Sequence, residues 1–208
     1  MGLARTLIGL AFGRVLMPDL GERFERALVL AARLHRRQNR KGTSVPYVAH
    51  LLGVCATVLE HGGGEDEAIA ALLHDAVEDQ GGAATFELIR SGFGEKVAAL
   101  VAACTDAWTV PKPPWKQRKQ AYLERLAGES DGALLVGAAD KLYNLRSVVE
   151  AYRVHGEAVW SRFSRGREEQ VWYFESVVAV LRGSGRLPPA LAAELERELA
   201  ELRALLGV

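Results

Sequence analysis

Residues 72–82 read LLHDAVEDQGG, and this short stretch decides how the rest of the chain is understood. His74, Asp75, Glu78 and Asp79 follow directly on an apolar run, and charged groups are seldom set so close to a core unless they are paired or hold something. The run itself, EDEAIAALLHDAVEDQGG from Glu65, has helical periodicity and is closed by Gly81 and Gly82. On one continuous helix His74 would share a face with Glu78, and Asp75 with Asp79, because residues four apart lie above one another.

Working outward, nearly every segment reads as helix. PDLGERFERALVLAARLHRRQ (18–38) places Leu20, Phe24, Leu28, Ala31 and His35 at helical spacing. After the polar turn NRKGTSV, the stretch from Pro46 to the glycines at 62–64 carries both a start and a stop signal. The 85–108 region reads as two helices broken at Gly92 to Gly94. A proline-rich loop and a basic amphipathic helix follow, and then a long apolar helix from Asp131. The terminal stretch PPALAAELERELAELRALL sets leucines at 191, 195, 199, 202 and 206, a stripe suited to packing on its own domain or on a second copy. No alternating strand pattern and no strand-borne glycine-rich phosphate loop occur. The expected class is all-α, a single domain with its core over about residues 20–182 and a C-terminal helix over about 188–206.

Composition narrows the function classes. The 208 residues are 49% hydrophobic and 25% charged, as in ordinary globular proteins. Lys plus Arg and Asp plus Glu number 26 each, so no net field calls for nucleic acid or an anionic membrane surface. An anionic ligand would have to be captured by a local patch. Cys55 and Cys104 read as two free thiols, since no CxxC spacing exists, and a reducing, cytoplasmic setting is expected. The opening MGLARTLIGLAFGRVLMPDL is interrupted by Arg14 and lacks a small-residue cleavage pattern, so it makes a poor signal peptide.

Two more residues join the HD pair. His50 lies one turn into its helix, on the row of Tyr47, Leu51 and Val54 that should face inward. Asp140 lies deep in the most apolar helix, where a carboxylate without a partner is costly. Two imidazoles and two carboxylates form a mixed nitrogen and oxygen site suited to Mn²⁺ or Fe²⁺, with Zn²⁺ also within its range. Arg40 and Lys41 precede the His50 helix, and Asn144 follows Asp140 by one turn. His35 falls on an apolar face near Arg40, while His61 and His155 read as helix ends.

In their order, HRRQNRKGTSVPYVAH (35–50), ALLHDAVED (71–79), FGEKVAALV (93–101) and ADKLYNLR (139–146) resemble the HD-domain metal phosphohydrolases. More narrowly, they resemble the hydrolase domain of Rel/SpoT proteins and the stand-alone small alarmone hydrolases, over roughly residues 24–175. The resemblance implies an HD-type helical bundle with Mn²⁺ held by His50, His74, Asp75 and Asp140, and Glu78 and Asp79 assisting the attacking water. It implies phosphate contacts from Arg40 and Lys41, a nucleoside contact from Asn144, and an aromatic near the nucleotide at Tyr173. Leu51 stands where the family usually has proline, and Tyr143 where bifunctional members often have histidine but stand-alone members also have tyrosine. The implied reaction removes the 3′-pyrophosphate of guanosine tetra- or pentaphosphate. The residues alone leave open another nucleotide phosphate ester (a nucleoside 5′-phosphate or NADPH) and a module that binds nucleotide without turnover. A small-molecule substrate is expected, with neither nucleic acid nor membrane as partner, and self-association stays open.

Overall fold

The computed structural model describes residues 19–109 and 111–208, so the opening segment weighed above as a leader lies outside the described residues. Ten α-helices and one 3-10 helix make up the regular structure of these residues, and their single β-bridge joins Asn39 to Pro46. None of the helices is long and apolar enough to cross a membrane.

Two helices form the centre. α3 (Glu65–Leu73) buries every residue from Ala68 to Leu73. Its first turn carries Glu65, Asp66 and Glu67 at the positive end of the helix dipole, and Glu67 accepts the Gly64 amide at 3.0 Å. α8 (Asp131–His155) starts where Ser130 accepts the Ala133 amide and ends at Gly156, whose φ of +54° suits a residue without a Cβ. From Ala133 to Leu142 only Lys141 escapes full burial. An acid at position 140 is therefore surrounded by core.

The other helices clothe this pair. α1 (Glu22–Leu34) is pinned to α3 by Arg23, which donates to Glu65, Asp66 and the Phe93 carbonyl at 2.7–2.8 Å. α2 (Val48–Glu60) packs on α3 and α8, and α6 (Glu95–Cys104) on the same two, with α5 (Ala83–Phe93) beside it. α7 (Trp115–Leu126) and α9 (Arg167–Gly183) pack on each other. α10 (Pro189–Leu206) lies along α8. Its leucines at 191, 195, 199, 202 and 206 are all buried within this chain, so the stripe is not free for a second copy.

One expectation needs correction. The stretch from Glu65 to Gly82 is not one helix. α3 ends at Leu73, His74 and Asp75 form a turn, and a four-residue α4 (Ala76–Asp79) follows. On an unbroken helix neighbouring side chains diverge by about 100°. At this break the His74 and Asp75 side chains reach the same point, 3.1 Å apart.

Candidate metal centre and cleft

Four side chains from three directions meet beside α8. The break after α3 supplies His74 and Asp75, α2 supplies His50, and α8 supplies Asp140. The His50 and His74 Nε2 atoms stand 3.3 Å apart. Asp75 Oδ2 is 3.4 Å from the first and 3.1 Å from the second, and Asp140 Oδ1 is 3.3 and 3.6 Å from them. Adjacent donors around a divalent cation with bonds of about 2.0–2.2 Å stand roughly 3.0–3.6 Å apart, so the spacing fits a bound metal.

The donor chemistry agrees. His74 Nδ1 donates to the Ala71 carbonyl at 2.8 Å, which leaves a lone pair on Nε2 facing the cluster. The carboxylates offer only acceptors, and acceptors facing each other are reconciled by a proton or a cation between them. Burial alone would depress the pKa of His74, but Asp75 and Asp140 outweigh it and hold the imidazole well above its usual value. Burial would likewise raise both carboxyls. His74 and His50 pull Asp75 well below the normal range, and Lys141 with both histidines does so for Asp140. A field that retains a proton in this way also attracts a divalent cation.

Further groups hold the donors in place. The Tyr47 hydroxyl donates to Asp75 Oδ2 at 2.5 Å, and burial with the Asp75 charge keeps that phenol protonated. His35 stacks on Tyr47 at 5.2 Å between ring centroids, so it braces the site instead of facing it. Asn144 donates to Asp140 Oδ1 at 2.6 Å and accepts from Arg40 at 2.7 Å. The asparagine expected to meet a nucleoside is thus tied here between a ligand and a cation. Tyr143 packs its ring 4.9 Å from His50, in space that a Cβ on Gly53 would occupy at 2.1 Å. Tyr47→Phe should weaken metal affinity by about 10–100-fold while barely changing the fold, as measured by metal titration. Unchanged affinity would show that the hydroxyl does not support Asp75.

Glu78 and Asp79 stand next to this centre, on α4. Lys112 from the proline-rich loop bridges them at 2.7 and 3.2 Å, and Gln38 donates to Asp79 at 2.9 Å. Burial, then the neighbouring Asp106 carboxylate, push Glu78 up to about 7 against the pull of Lys112. Burial would also raise Asp106, but Lys119 and Arg118 hold it down to about 2. Asp106, Lys112, Arg118 and Lys119 were not singled out by the sequence reading. They lie in or after the loop following α6, and only the fold brings them to α4.

The acids open onto a cleft of about 820 Å³, a size suited to a small ligand. A polar annex of about 170 Å³, lined by Asp75 and Asp140, shares Arg40, Glu78, Asp79 and Tyr173 with it. Lys41 lines the main cleft. Tyr173 is buried, yet its hydroxyl has no protein partner, and Lys119 lies 4.7 Å from its ring. Every site residue expected from the sequence therefore lines the cleft or the metal centre. His61 and His155 sit at the ends of α2 and α8 instead, and Cys55 and Cys104 are free thiols.

A family model described as HD domain matches residues 27–170. The chain is 41% identical over 160 residues to a guanosine-3′,5′-bis(diphosphate) 3′-pyrophosphohydrolase of Xenopus tropicalis, across 76% of this chain and 83% of the relative. A Drosophila melanogaster enzyme of the same name is 34% identical over 183 residues, which are 86% of this chain and 92% of that one. Among solved structures, a metazoan orthologue of SpoT that hydrolyses ppGpp superposes with a TM-score of 0.74 at 31% identity, covering 89% of this chain and 97% of the other.

Proposed function

The chain belongs to the HD-domain family, and on that footing we propose that it is a metal-dependent phosphohydrolase that removes the 3′-pyrophosphate of guanosine 3′,5′-bis(diphosphate) and its pentaphosphate analogue. What carries this reading is the convergence of two imidazoles and two carboxylates, each carboxylate 3.1–3.6 Å from both imidazoles, beside the Glu78–Asp79 pair. The relatives that carry this activity in their names match this chain over most of their length.

His50, His74, Asp75 and Asp140 would hold the cation, and Mn²⁺ is the assignment preferred here over Fe²⁺ and Zn²⁺ for a site of equal nitrogen and oxygen count. When bound, such a cation supplies Lewis-acid polarisation of the phosphoryl group and a supply of hydroxide near neutral pH. Glu78, with its carboxyl near 7, takes the proton of the attacking water and can return it to the departing 3′-oxygen. Asp79 and Lys112 keep Glu78 oriented, since all three are joined through the lysine. Arg40 and Lys41 neutralise phosphate oxygens, for which the arginine fork is well matched. Tyr173 offers its unpaired hydroxyl to the bound nucleotide. The products are GDP or GTP and pyrophosphate. The whole chain acts as one HD-type unit with α10 as its buttress, and two free thiols fit the cytoplasm.

The deciding experiment is pyrophosphate release from guanosine tetraphosphate by metal-stripped protein with Mn²⁺ restored, beside a nucleoside 5′-phosphate and NADPH. Mn²⁺-dependent release from the tetraphosphate above the other two is expected. Preference for either alternative would move the substrate elsewhere. Tight nucleotide binding with no turnover of any would leave only a binding module.

A further inference from the structure

We infer that Arg162, together with Lys41, forms a second phosphate subsite that holds the phosphates remote from the scissile group, so that the cleft selects nucleotides phosphorylated at both ends. This rests on the phosphohydrolase reading above and names a specificity-determining residue for it.

Charge is unevenly compensated along the cleft. Near the metal centre the lysines and Arg118 each already have a carboxylate, and Arg40, which has none, is held by the Asn144 side-chain oxygen at 2.7 Å. Lys112 lies on Glu78 and Asp79, Arg118 and Lys119 lie on Asp106, and Lys141 lies on Asp140. Glu78 and Asp79 are the only acids among the residues lining the main cleft. Lys41 and Arg162 also line it, but neither borders the annex of the metal ligands, and neither has a carboxylate within ion-pair distance among the described residues. Among the other described arginines Arg26, Arg33, Arg36, Arg37 and Arg197 lack one too but are exposed, and half-buried Arg40 lacks one but donates to Asn144, whereas the half-buried Arg162 side chain has no such partner. A partly desolvated guanidinium that the protein leaves unpaired is suited to an anion that arrives with the ligand.

The side chain is also held in position. Arg162 ends the 3-10 helix Gly156–Arg162, and its stem crosses Gly42 in the turn that carries Arg40 and Lys41. A Cβ on Gly42 would stand 2.7 Å from Arg162 Cγ, and the φ of +70° at that glycine suits no other residue well. The turn is itself closed by Arg40 N–H donating to the Val45 carbonyl at 2.8 Å and Tyr47 N–H to the Gln38 carbonyl at 2.9 Å. Lys41 and Arg162 therefore belong to one braced corner, and a phosphate bound there meets two cations whose backbones are already fixed. Val159 and Phe163, from the same 3-10 segment and its end, add apolar wall beside that corner for the nucleoside.

Calorimetric binding to Mn²⁺-loaded protein tests this, with guanosine 3′,5′-bisphosphate and guanosine 3′-monophosphate as the probes. Wild type should bind the bisphosphate about tenfold more tightly, the worth of one charge-assisted contact. Arg162→Gln keeps the stem over Gly42 and should bring the two affinities together without moving the melting temperature. Arg162→Lys should restore part of the preference. A preference that survives Arg162→Gln, or that wild type never shows, overturns the subsite. Turnover of guanosine tetraphosphate by wild type, measured in parallel, judges the hydrolase reading separately, because the binding comparison needs no hydrolysis.

Discussion

Asp140→Asn abolishes metal retention and lowers turnover by about 10³-fold or more, the loss expected when a cation that creates the nucleophile is no longer held. The substitution keeps the volume of the side chain and its place on α8 but removes the charge. Asp140 is the one carboxylate that α8 contributes to the cluster, with Oδ1 3.3 and 3.6 Å from the two imidazoles and Oδ2 2.5 Å from Lys141. Alanine would be a worse probe. Both changes remove the counter-ion of largely buried Lys141, but alanine also removes the oxygen that accepts its hydrogen bond and leaves a void, so folding would confound chemistry further. Metal content after gel filtration, read beside the pyrophosphate assay, gives the answer. Chelator should lower the melting temperature of wild type, because a cation bound only by the native state adds stability, and should leave that of Asp140→Asn unmoved. A variant that keeps a full equivalent of metal and near-normal turnover would remove Asp140 from the ligand set.

How much of this was legible in the sequence depends on how local each feature is. The bounds of α2 and α10 follow from signals within the segments, Pro46 and the glycine cluster for one and the leucine spacing for the other. The pairing of Asn144 with Asp140 follows from a separation of four residues on a helix. The break at His74–Asp75 does not, because the apolar period runs through it unchanged and both residues keep right-handed helical dihedrals. The interruption is slight, and what gathers there, the meeting of His74 and Asp75 with His50 on α2 and Asp140 on α8, involves segments far away in sequence. Asp106 lies 28 positions beyond Glu78, in a stretch that reads as the tail of a helix, so its effect on Glu78 had no signature. Lys112 was hidden in the same way within a proline-rich loop. Arg162 carried no signal at all, since its meaning lies in a glycine 120 positions away.

Glu78→Gln should separate the second role from the first, keeping the metal while lowering kcat by about 10²–10⁴-fold, the usual worth of a positioned proton acceptor. The amide occupies the same space and can still accept from Lys112, but it cannot take a proton from water. The pH profile makes the test sharper. Burial and Asp106 place the Glu78 carboxyl at about 7, so below that pH it carries a proton and cannot act as the base. Wild-type rate should therefore rise with pH through about 7, and that limb should vanish in Glu78→Gln. Asp106→Asn supplies the complementary shift. Removing the neighbouring negative charge stabilises ionised Glu78, lowers its pKa, and should move the same limb toward acid while the metal stays bound. A merely structural Asp106 would change rate or stability without moving the limb. A limb that persists near 7 in Glu78→Gln would show that Glu78 is not the base.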